Sequence, residues 1–246
     1  MKKLFTLYRY FITAIVLLVS SFGARASYIF GADLTYQHVS GLTYKVTLTM
    51  YPKCGMVYGL PAFSPLYDTP AVCIFNGATN ISTISLRLDS ALSDIETTPL
   101  CSTDSSQCIN PSSTIPGYEK FVYSAVYTLP SRSSVWRFVY SGYNGIFHDT
   151  SSITPTALTN VLETNTLIQL IDTLNNVTYD NTTADIPGSA PVFFLDSISS
   201  FYDPMAVDPD GDSLSFALVA PTMGTANCDS FGGPLRYTIH YTLIAS

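Results

Sequence analysis

The sequence predicts an all-β protein, an Ig-like β-sandwich, and three observations carry that expectation. Apolar and polar residues alternate at period two in one stretch after another, the pattern of half-buried strands. Aromatic residues suited to strands are abundant, with 17 Tyr and 14 Phe among 246 residues. Gly, Pro, Asn and Asp punctuate the gaps between these stretches, and helical periodicity has a claim in only one place.

The first segment is read as an exported leader rather than part of the fold. Lys2, Lys3 and Arg9 precede an apolar run from Phe11 to Val19, and small residues lead to Ala24-Arg25-Ala26. That order is a signal peptide over residues 1–26. The run is shorter than the roughly 20 residues of a spanning helix, so no membrane span is expected in the mature chain. The leader takes four of the 11 basic residues and no acid, leaving seven bases against 18 acids, a net charge of −11 over 220 residues. Such a chain lacks the basic footprint of a nucleic-acid binder. Export places it at the outer cell surface or outside the cell, where disulfides persist.

The strands then follow in order. In Thr43–Tyr51, Tyr44, Val46, Leu48 and Met50 face one side, and Thr43, Lys45, Thr47 and Thr49 the other. Ile84, Leu86 and Leu88 alternate with Ser85, Arg87 and Asp89. Phe121–Leu129 alternates more loosely, as in a strand buried on both faces. Val135–Tyr140 comes next. Thr156–Leu174 has a weak helical claim through Leu158, Val161 and Leu162, but its second half, Thr166–Asp172, reads as strand. Leu214–Leu218 and the series Leu235, Tyr237, Ile239, Tyr241 and Leu243 complete the set. Long loops are expected at 52–70 and 89–118. The polar stretch Asp180–Ala190 marks a boundary, giving a domain over 27–185. Residues 186–246 would begin a second β module, truncated at the C-terminus, with Val192–Leu195 as its first strand.

Five cysteines stand at 54, 73, 101, 108 and 228. Cys101 and Cys108 bracket a short Ser/Asp loop and are the favoured pair; Cys54 with Cys73, across a proline-bearing loop, is second. Cys228 is left over, and a set of buried free thiols is the alternative. No CxxC or Cys/His cluster suggests zinc.

The sharpest local signal is Asp208-Pro209-Asp210-Gly211-Asp212. Three carboxylates at alternate positions suit Ca²⁺, which takes six to eight oxygen ligands. Asp196 and Asp203 could add to them. The spacing is not that of an EF-hand, and the competing reading is an Asp-Gly turn whose carboxylates cap backbone N–H groups. Signals for catalysis are thin. His38, His148 and His240 are scattered, and no Gly-x-Ser-x-Gly, His-Glu-x-x-His or phosphate loop occurs. The chain is expected not to be an enzyme. Tyr51, Tyr58, Phe63 and Tyr67 around the 52–70 loop, with Tyr140 and Tyr143, either stack on sugars and anchor partners or fill sandwich corners. Asn80, Asn176 and Asn181 sit in N-glycan acceptor triplets.

Four stretches carry a family resemblance. Ile29-Phe30-Gly31-Ala32-Asp33-Leu34-Thr35-Tyr36 is followed by Leu42–Leu48 and Tyr51-Pro52-Lys53-Cys54; Cys101 and Cys108 precede Tyr118-Glu119-Lys120 and Tyr127-Thr128-Leu129-Pro130. Ser189-Ala190-Pro191-Val192-Phe193 and Asp208–Phe216 come after. In these the chain resembles secreted Bacteroidetes proteins related to gliding-motility-associated surface proteins. The resemblance implies that the β module over 27–185 is followed by an Ig-like or cadherin-like one over 186–246, in a larger structural or adhesive surface protein that binds a protein or glycan partner without catalysis. The alternative is a carbohydrate-binding or accessory module of a secreted polysaccharide-degrading enzyme.

Overall fold

A computed structural model describes residues 29–52, 54, 69–141, 166–187, 203–217, 219, 222–225 and 231–234. The expected leader 1–26, Tyr58, Phe63, Tyr67, Tyr143, His148, the expected strands at Val192–Leu195 and 235–243, Asp196, Cys228 and His240 lie outside them.

The described residues are all-β, as the alternation predicts, and contain no helix long and apolar enough to cross a membrane. Eleven strands run β1 (Ile29–Ser40), β2 (Thr43–Pro52), β3 (Ala71–Asn76), β4 (Thr79–Ser85), β5 (Arg87–Leu88), β6 (Ile95–Glu96), β7 (Glu119–Thr128), β8 (Trp136–Ser141), β9 (Thr166–Leu174), β10 (Thr222–Thr225) and β11 (Phe231–Pro234). They form two antiparallel sheets. One has the order β1-β2-β7-β5, with β6 also beside β7; the other has the order β11-β10-β9-β8-β3-β4.

One apolar core joins the two sheets. Tyr44, Val46, Leu48 and Met50 of β2 are fully buried, while the intervening Thr and Lys side chains are half-buried. They meet Val72 and Ile74 of β3 and Trp136, Phe138 and Tyr140 of β8 in the same cluster, with Leu174 of β9. Burying an aromatic or aliphatic side chain of this size stabilises by about 1.5–3 kcal/mol before ordering costs. The period-two pattern is thus the cause of the layered fold, because only one register puts every large side chain inside.

β7 departs from simple alternation for a visible reason. Phe121, Val122 and Tyr123 are buried in succession, whereas Val126 is exposed. The loop before β6 covers the outer face at Val122: the Val122 N–H donates to Ser93 Oγ (2.9 Å), and Ser93 Oγ donates back to the Val122 carbonyl (3.3 Å).

Three expectations need correction. The alternating run Ile84–Leu88 is not one strand. Ser85 ends β4 in one sheet and Arg87 begins β5 in the other, with fully buried Leu86 at the corner and its N–H donating to the Pro70 carbonyl (2.8 Å). Leu214–Leu218 does not form the expected strand: residues 214–217 have no ladder partner, and Phe216 is 64% exposed. Alternation there is not backed by a neighbouring strand edge to satisfy the backbone.

The third correction concerns the disulfide. Cys108 pairs with Cys54, not Cys101, and Cys101 is exposed and free. Cys54 does not pair with Cys73 either, although Cys73 is itself disulfide-bonded. Ladder register explains the choice. β2 and β7 pair with Met50 opposite Phe121, and the same register continues until the Cys54 N–H donates to the Gly117 carbonyl (2.9 Å). Cys54 is thereby fixed beside the loop that leads into β7. The Asp104 N–H closes a turn on the Cys101 carbonyl, and a second turn at Ser106–Asn110 carries Cys108. Gly117 is required at this crossing, since a Cβ there would lie 2.4 Å from Cys108 Sγ.

Backbone pairing also crosses the expected boundary at 185/186. Asp185 bridges to Val207 in both directions (2.8 and 2.9 Å), and β10 pairs with β9 within the second sheet.

Candidate functional site

The site is built from the segment that follows β9. After Leu174 the chain leaves its own sheet and crosses to the free edge of β1 in the other. Asn176 anchors the departure. It is fully buried; its Oδ1 accepts the Ser133 N–H (2.8 Å), its carbonyl accepts Arg132 Nη1 (2.6 Å), and its Nδ2 reaches Tyr44 Oη (3.5 Å). A side chain enclosed in this way is no glycan acceptor, whatever its sequence triplet.

Thr182 and Thr183 then fasten the strap to β1. The Thr183 N–H donates to the Tyr36 carbonyl (2.9 Å), and the Tyr36 N–H donates to Thr183 Oγ1 (3.0 Å). The His38 N–H donates to Thr182 Oγ1 (3.3 Å). Thr183 Oγ1 in turn donates to Asp172 Oδ2 (2.6 Å), tying the strap back to β9. This seam collects acids: burial, together with the neighbouring Asp33 charge, raises Asp172 from 3.8 to about 6. Burial also raises Asp33, with Asp185 repulsion adding to it.

The Asp-rich turn docks on the outside of the strap. Asp208 Oδ1 accepts the N–H groups of Asp210 (2.8 Å) and Asp212 (3.1 Å), and Gly211 takes the left-handed φ of 82° that this turn needs. Asp210 Oδ2 accepts the Thr182 N–H (2.5 Å). Asp208 and Asp210 therefore spend oxygens on backbone N–H groups. Among the described residues, Asp208, Asp210 and Asp212 do not converge as a group of ligand atoms within 4.8 Å of one another. Cys54, Cys108 and Glu119 do converge, but the two sulfurs are bonded to each other and supply no thiolate.

Between the strap and the turn lies an open cleft of about 650 Å³. Asn175, Thr178, Tyr179, Asp180 and Asn181 line it from the strap, and Asp210 and Asp212 from the turn. Its most prominent feature is Tyr179, which is 78% exposed. Asp180 is held by Arg132 Nη1 (2.9 Å), with His38 Nε2 at 3.7 Å. Asn181 Nδ2 leans on Tyr36 Oη (3.4 Å), and Asn175 Oδ1 caps the Val177 N–H (3.2 Å). The floor is fixed to both sheets, while the aromatic ring stands free at the rim.

Of the residues singled out in the sequence, Asn181, Asp210 and Asp212 line the cleft and His38 borders it through Asp180. Tyr51 and Tyr140 are buried, Tyr51 in edge contact with Tyr118 and Tyr140 within the core. Asn176 and Asn181 stand out in the sequence only as glycan-acceptor triplets, Tyr179 and Asn175 belong to no motif, and Asp180–Ala190 reads as a polar linker. The cluster Asn175-Asn176-Val177-Thr178-Tyr179-Asp180-Asn181, an aromatic set among amides, was the available signal. No family model, curated protein or solved structure matches the chain.

Proposed function

We propose that this chain is an exported, non-catalytic module of a larger structural or adhesive surface protein, with a role linked to gliding motility, and that it engages its partner through the strap cleft. The observation that carries this is the exposed Tyr179 ring at the mouth of a cleft whose walls are braced by both sheets. Aromatic anchors on rigid supports are the residues that dominate binding surfaces. The resemblance to gliding-associated surface proteins supports the location, and the Cys54–Cys108 bond agrees with an oxidising compartment. The accessory-module reading uses the same cleft and differs in what the chain is attached to.

The test is adhesion of beads coated with the purified chain to intact cells and to extracellular polysaccharide films. Adhesion that is weakened by Thr178→Trp, which fills the cleft, is the expected result. Beads that never adhere, or that adhere equally with the cleft filled, would remove this reading.

A further inference from the structure

We infer that the ligand of the cleft is a neutral saccharide, stacked on Tyr179 and hydrogen-bonded by the Asn and Asp side chains around it; this rests on the binding role proposed above. The volume, about 650 Å³, falls within the roughly 300–1,000 Å³ of small-ligand clefts. Tyr179, 78% exposed, offers an aromatic ring on which the apolar C–H face of a sugar ring can stack.

The polar groups left over match hydroxyls. Asn175 uses its Oδ1 on the Val177 N–H, leaving its amide N–H groups as donors. Asp210 uses Oδ2 on the Thr182 N–H, leaving Oδ1 as an acceptor, and exposed Asp212 brings a carboxylate that can accept two adjacent hydroxyls. A sugar hydroxyl both donates and accepts, so a wall that mixes amide donors with carboxylate acceptors suits it. Asp210 and Asp212 in one cleft repel uronic, sulfated or phosphorylated sugars. A lysine-rich peptide fits less well, because the charge of Asp180 is already met by Arg132 at 2.9 Å.

The experiment is binding of the full chain to an array of neutral gluco-, manno-, xylo- and galacto-oligosaccharides. Wild type is expected to bind at least one series. Tyr179→Ala is expected to lose about tenfold or more in affinity, as for a central aromatic anchor. Tyr179→Phe, which keeps the stacking face, retains binding. Equal binding by wild type and Tyr179→Ala overturns the assignment. So does bead adhesion that resists periodate but disappears when the target surface is treated with protease, a result that leaves the binding role standing with a protein partner. Array binding to lysine-rich peptides in place of sugars overturns it as well. Loss of bead adhesion altogether removes the underlying role, and the two failures are thereby distinguished.

Discussion

Replacing Asp172 with asparagine probes the seam that holds the strap, and the structure sets the size of the effect. Burial and the Asp33 charge lift the Asp172 carboxyl from 3.8 to about 6. At about 1.4 kcal/mol per tenfold change in the proton equilibrium, that rise corresponds to about 3 kcal/mol as an upper figure. The sign follows from linkage. A carboxyl raised in the folded state prefers its proton there, so the folded protein bears the full cost above pH 6 and none below the unfolded value of 3.8. Wild type should therefore gain stability as pH falls from 7 towards 4. Asp172→Asn keeps the shape, can still accept the Thr173 N–H, and can donate to Thr183 Oγ1 instead of accepting from it. It is expected to stabilise by about 1–3 kcal/mol at pH 7.5 and to flatten the slope between pH 4 and 6. The assay is urea unfolding followed by the fluorescence of Trp136, the single tryptophan and fully buried. Asp33 and Glu119 are also raised, chiefly by burial, so a residual slope remains, and the difference between the two proteins reports Asp172 together with its coupling to Asp33. A variant with an unchanged slope, or one less stable than wild type at pH 7.5, would refute the reasoning.

Further outcomes are expected elsewhere. Peptide mapping without reduction should recover Cys54 linked to Cys108 and a free Cys101; a Cys101–Cys108 peptide contradicts the ladder argument. Cys54→Ser should cost about 2–4 kcal/mol in urea unfolding, as for a bridge closing a long loop, whereas Cys101→Ser should leave the midpoint in place. Asn176→Ala leaves the partly buried Ser133 N–H without its partner and is expected to cost about 1–3 kcal/mol. Since the Asp208 turn closes on its own backbone, chelator and added Ca²⁺ should leave the melting midpoint unchanged; a clear rise with Ca²⁺ would mean that the turn rearranges to bind it.

The legible part of this molecule is the part governed by burial. The alternation of Tyr44, Val46, Leu48 and Met50 states directly which face of β2 is inside. What stays hidden is whatever depends on which strand lies beside which. The Cys54–Cys108 bond follows from β2–β7 register, which sequence spacing does not encode, and short spacing pointed instead to Cys101. The corner at Leu86 and the unpaired run after Asp212 show that alternation fixes the inward face of a segment but not its partner. The cleft was half legible. Its Asp wall stood out as a motif, whereas its Tyr179 wall lay in a polar stretch that resembles a linker until Thr182 and Thr183 are seen to pair with β1.

The most direct test of the central claim compares bead adhesion by wild type, Tyr179→Ala and Val126→Ala. Val126 is also exposed but lies on β7, outside the cleft. Tyr179→Ala is expected to lower adhesion about tenfold, while Val126→Ala matches wild type. Equal adhesion by all three, with Trp136 fluorescence showing each to be folded, would contradict it.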